Sequence, residues 1–240
     1  MSTWAVFAVL AVAVTMGGLV QGAVGLGLGL VAAPVATLVH PALMPGVMLW
    51  LAAAYPLLTL AREGRATDWR GLKWAFVGRL PGTVIGVAVV AVVSARLLSL
   101  LVGLTVLVAV LLTWQVVSLP MRRGVLLGAG LVSGVMGTAT SIGGPPLALV
   151  YQHVTGARLR ATMATYFAIG ALLSLLGLAV VGELDAVDSL WALALAPFLV
   201  LGFLLADTVR RHVDAGRTRA AVLSVCAASA VALVVRSAFG

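Results

Sequence analysis

Residues 138–146, Thr-Ala-Thr-Ser-Ile-Gly-Gly-Pro-Pro, interrupt an apolar run that extends from Gly124 to Val154. Two consecutive prolines remove backbone donors and fix φ, and Gly143 and Gly144 before them leave the backbone unconstrained. Three hydroxyls, on Thr138, Thr140 and Ser141, crowd the same turn. In hydrocarbon such a break is tolerated only where it is buried in protein or lines a wet cavity. Prolines suit the first positions of a new helix, here beginning near Pro145, because the amide hydrogens there lack partners anyway. The remaining amides and hydroxyls then converge with the positive end of a helix behind them, which is the chemistry of an anion site.

The break occurs twice. Gly18 to Gly25 reads GLVQGAVG and Gly130 to Gly137 reads GLVSGVMG, an offset of 112 (130 − 18) that also carries Pro34 onto Pro146. Pro81 with Gly86 and Pro197 with Gly202 form a second pair of landmarks, at an offset of 116 (197 − 81). The chain therefore divides into two related halves, 1–118 and 119–240. Gly/Pro-interrupted apolar segments in matching positions of two halves point to a transporter's binding site.

Composition sets the solvent. With 62% hydrophobic and 9% charged residues and a mean hydropathy of +1.19, the chain is expected to be an all-α, polytopic membrane protein. Its net charge of +8 is spread over short loops, which argues for positive-inside topology and against nucleic-acid binding. The single cysteine, Cys226, cannot form an internal disulfide. No Lys or Arg precedes Arg62, so the basic region of a signal peptide is missing, and no soluble domain is expected at either end.

In order, the apolar segments are Trp4–Val39, broken at Gly22–Gly29, then Gly46–Leu60, Trp74–Val93 and Leu97–Val117. The second half supplies the broken Gly124–Val154 and the spans Ala161–Val181, Leu190–Ala206 and Ala220–Val235. The loops at 62–73, 122–123, 158–160 and 210–219 are basic and expected in the cytoplasm, whereas 183–188 is acidic and expected outside. Each half then becomes a broken re-entrant helical hairpin, interrupted near mid-membrane, plus three transmembrane helices. Three is odd, so the halves form inverted repeats, and both termini are expected outside.

Candidate anion ligands are Thr138, Thr140, Ser141, Gly143, Gly144 and Pro145 in the second break, with Gly25, Gly27 and Gly29 in the first. Membrane Ser and Thr also bond back to helix carbonyls, and alternating glycines also serve as packing faces. Gln21 and Ser133 are polar positions just before the breaks and are read as cavity lining. Arg79, six residues beyond Lys73, either draws anions to the site or snorkels back to the cytoplasmic face. His40 and His153 sit at segment ends, and no carboxylate lies at mid-span to relay protons.

The pair GAVGLGLGLVAAP (Gly22–Pro34) and GVMGTATSIGGPPL (Gly134–Leu147) resembles the sulfite exporter TauE/SafE family of bacterial membrane proteins. Leucines interrupt the glycines of the first motif, where the family carries a continuous triplet. The resemblance covers essentially the whole chain and implies transport of sulfite, sulfonates or related anions across a bacterial inner membrane. The resulting expectation is a secondary transporter, not an enzyme, that holds its anion at the two breaks and works by alternating access. A passive anion channel is the nearest alternative, and an intramembrane hydrolase using Ser141 with His153 a more distant one. The partners implied are a small anion and the lipid bilayer; a coupling ion, proton or sodium, is compatible with this reading but not named by it. A homo-oligomer is compatible with this reading, and no metal or cofactor is called for.

Overall fold

All regular structure is helical among the residues that the computed structural model describes, 2–114, 119–212 and 215–239. The first broken segment folds as α1 (Thr3–Val24) and α2 (Leu28–Val39), followed by α3 (Gly46–Glu63), α4 (Trp69–Val92) and α5 (Ala95–Trp114). The second folds as α6 (Arg123–Thr140) and α7 (Gly144–Tyr151), followed by α8 (Gly156–Val180), α9 (Ala186–His212) and α10 (Ala215–Phe239). The expected boundary at residue 118 and the middle of the basic loop 210–219 (213 and 214) lie outside the described residues.

Helices α1, α4, α8 and α9 are long and apolar enough to cross a membrane. Val84, Leu176, Leu193 and Leu204 project outward from them, an apolar surface suited to lipid and costly in water. Helices α2 and α7 have 12 and 8 residues. At about 1.5 Å per residue they extend roughly 18 and 12 Å, well short of a hydrocarbon core of about 30 Å. Each broken segment thus has one long arm and one short arm, which corrects the expectation of a break at its middle. The physical reason is that the glycines and prolines fall late in each apolar run, so the first arm is already a complete helix.

Charge segregates to the two ends of the bundle. At the basic end Arg160 pairs with Glu63 (2.6 Å), Arg62 with Asp207 (2.6 Å) and Arg158 with Asp68 (3.6 Å). Tyr151, at the close of α7, donates to Asp68 (3.1 Å). At the other end Glu183, Asp185 and Asp188 border a cavity of about 310 Å³ with the α2–α3 connection, Pro41–Gly46. Asp188 accepts from the Asp185 amide (3.3 Å) in the first turn of α9, a capping arrangement. The start of α1 and the end of α10 lie on this acidic side: Phe7 packs on Trp191 and Phe198, and Arg236 donates to the Leu38 carbonyl (2.6 Å). Hairpin α1–α2 therefore opens towards the acidic end and α6–α7 towards the basic end.

Small residues allow the closest helix crossings. On α6, Gly134 meets α4 at Gly82; on α1, Gly18 meets α9 at Gly202. A methyl group on Gly82 would lie 3.1 Å from the Gly134 Cα, and one on Gly18 would lie 3.5 Å from the Gly202 Cα.

Candidate functional site

Both breaks turn through left-handed backbone. Gly25 (φ 93°) ends α1, its amide donating to the Gln21 carbonyl (2.7 Å), and Gly27 (φ 152°) leads into α2. The buried Gln21 side chain accepts from the Leu28 amide (3.0 Å), capping α2 from the neighbouring arm. In the second break Ser141 takes the equivalent turn at φ 60°, which glycine adopts more readily, and its hydroxyl donates to the Pro45 carbonyl (3.2 Å).

The two breaks pack against each other. A methyl group on Gly29 would lie 2.5 Å from the Ser141 carbonyl oxygen, and one on Gly144 would lie 3.6 Å from Leu26 and 3.1 Å from Phe167. Between them is a cavity of about 40 Å³. Of the residues singled out in the sequence, Gln21, Gly27, Gly29, Ser141, Gly143, Gly144 and Pro145 line it. Helix geometry leaves the amides of Gly143 and Gly144 without intrahelical acceptors, and likewise those of Gly29 and Leu30. Pro145 and Pro146 contribute no amide hydrogen, so α7 offers fewer donors than an ordinary helix start.

The other candidates lie elsewhere. Gly25 faces Arg160, whose Cγ would be 3.5 Å from an added methyl group. Thr138 shares a hydrogen bond with Ser174 of α8 (2.8 Å), and Thr140 donates to the Met136 carbonyl one turn back (2.7 Å). Ser133 is buried behind the break and donates to the Gly143 carbonyl.

Arg79 is 3% exposed, so it does not snorkel. Its guanidinium donates to Ser133 Oγ (3.3 Å) and lies 4.6 Å from the centre of the Tyr166 ring. Gly170 makes room for it, because a methyl group there would overlap the guanidinium. Among the described residues no carboxylate pairs with Arg79, and its Nε and the Tyr166 hydroxyl lack hydrogen-bond partners. An uncompensated buried cation is costly unless it meets negative charge. Phe167, Leu26 and Ala52, which complete the cavity wall, were not among the sequence candidates. No local motif marks them; only the packing of α3 and α8 around the breaks does.

Paired helix breaks buried among lipid-facing helices, with a free cation behind one of them, are the anatomy of a membrane transporter. The chain belongs to the sulfite exporter TauE/SafE family, which it matches over residues 9–233. A curated relative, the probable sulfite/organosulfonate exporter TauE of Cupriavidus necator, is 32% identical over 205 residues, covering 78% of this chain and 73% of that protein. No solved structure matches the chain. The family is one of multi-pass membrane transporters, not enzymes, so the hydrolase alternative built on Ser141 and His153 is set aside.

Proposed function

We propose that this protein is a secondary transporter of sulfite-like anions in a bacterial inner membrane, and that the anion binds where the two breaks meet. The observation that carries this reading is the cavity between the breaks, with the unpaired Arg79 behind it. The amides of Gly143 and Gly144 on one side, and of Gly29 and Leu30 on the other, act as donors to the oxyanion. Arg79 supplies charge through space and holds the second break through Ser133 and the Gly143 carbonyl. A charged hydrogen bond contributes about 1.5–3 kcal/mol, so a few such donors suffice for binding.

Residues 1–118 and 119–240 act as two inverted repeats. The parallel construction of the α1–α9 and α6–α4 crossings supports this, as does the opposite opening of the two hairpins. Alternating access then means rocking the bundles about the breaks. The 310 Å³ cavity leads from outside towards Pro45, where Ser141 is anchored, while the Glu63–Arg160 pair closes the cytoplasmic side beside Gly25. This arrangement is an outward-facing one.

Sulfite efflux from proteoliposomes tests the proposal. A carrier gives flux that saturates with concentration and is accelerated by sulfite on the opposite side. Linear flux without counterflow would establish a channel, and no sulfite flux at all would overturn the reading.

A further inference from the structure

The wall of the cavity bears on which anion fits. Phe167 is the largest side chain lining it, set among glycines, Ala52 and branched aliphatic residues. Its ring tip is directed at Gly144: Cζ and Cε1 would lie 3.1 and 3.6 Å from a methyl group there. The ring therefore fills the space beside Gly144. Helix α8 is anchored directly before this ring. The preceding residue, Tyr166, stacks on the Arg79 guanidinium and is fully buried, so Phe167 cannot withdraw without disturbing the buried cation.

Volume decides the rest. The cavity of about 40 Å³ is several times smaller than the roughly 300 Å³ at which pockets for organic ligands begin. It holds one or two waters, or an ion of a few heavy atoms. The space beyond Gly144 into which the tail of a sulfonate would extend is occupied by the Phe167 ring.

We propose that Phe167 sets the size limit of this site, so that the transported species is a compact inorganic oxyanion and organic sulfonates are excluded by the ring. The inference rests on the anion site proposed above and adds the substrate class and the residue that selects it.

Thermal stabilisation of the purified protein by sodium sulfite, methanesulfonate and 4-toluenesulfonate tests it. The parent is expected to bind sulfite at least about tenfold more tightly than methanesulfonate, the discrimination that one methyl group gives in a hydrophobic pocket. It should not respond to 4-toluenesulfonate. Phe167→Ala opens space on the order of 100 Å³ and should bring methanesulfonate to within about threefold of sulfite. Phe167→Leu, a milder truncation, should shift the preference in the same direction and is read in its place if the alanine variant does not fold. Sulfite binding without size discrimination in the parent, or a folded variant with unchanged preference, would overturn the inference alone. A parent that binds none of the three ions would overturn the proposed site and this inference together.

Discussion

Replacing Arg79 with glutamine removes the buried charge that stands behind the second break, and the structure sets the size of the effect. A methyl group on Gly137 would lie 3.1 Å from Arg79 Nη2 and 3.3 Å from the Gly143 Cα, so these two atoms are at most about 6.4 Å apart. An anion held on the Gly143 and Gly144 amides sits slightly further out, at about 8 Å, where unit charges attract by about 2 kcal/mol at an effective dielectric of about 20. Arg79→Gln should therefore weaken sulfite binding by roughly thirtyfold per unit of anion charge, since about 1.4 kcal/mol is tenfold. Arg79→Lys keeps the charge and should recover most of the affinity, although its point-like ammonium cannot match the planar contact with Tyr166. Without ligand the glutamine variant should be no less heat-stable than the parent, because the lost group is an uncompensated buried cation. The assay is a sulfite titration of each purified variant by thermal shift, with flux in proteoliposomes alongside. Equal affinity in parent and Arg79→Gln would refute the assignment of charge to the site.

Other perturbations separate steric from structural effects. Gly144→Ala places a methyl group 3.1 Å from Phe167 and should weaken binding about tenfold with insertion unchanged; unchanged binding would move the anion away from α7. Gly143→Val instead meets the Ser133 carbonyl (2.9 Å) and the Gly137 Cα (3.1 Å), so it should cost about 1–3 kcal/mol of stability, read as a lowered melting temperature. Glu63→Gln leaves Arg160 without its carboxylate and should favour opening to the cytoplasm by about tenfold, seen as faster labelling of a cysteine at Leu26 in inside-out vesicles. A labelling rate equal to that of the parent would mean that this pair is not a gate. On a Cys226→Ser background, a cysteine at Asp185 should label from outside intact cells and one at Asp68 should not; the opposite pattern would invert the topology.

Much of the architecture is legible in the sequence, because it depends on local chemistry. Gly143, Gly144, Pro145 and Pro146 cannot continue a helix through hydrocarbon, and Gly25 and Gly27 weaken the equivalent place in the first half. The charged loops fall where helices must leave the membrane, so 62–73 and 183–188 separate to opposite ends. Side-chain direction was not legible in this way. Successive residues of a helix point about 100° apart, and nothing local decides that Thr138 meets Ser174 while Thr140 turns back to its own carbonyl. Sequence alone thus determined that this is a helical membrane protein with two breaks and where along the chain they fall. Tertiary structure decided what surrounds them, because Gly137, Gly170 and Tyr166, distant along the chain, create the space that keeps Arg79 inside. The same holds for Phe167, whose place on the cavity wall follows only from how α8 packs against the breaks.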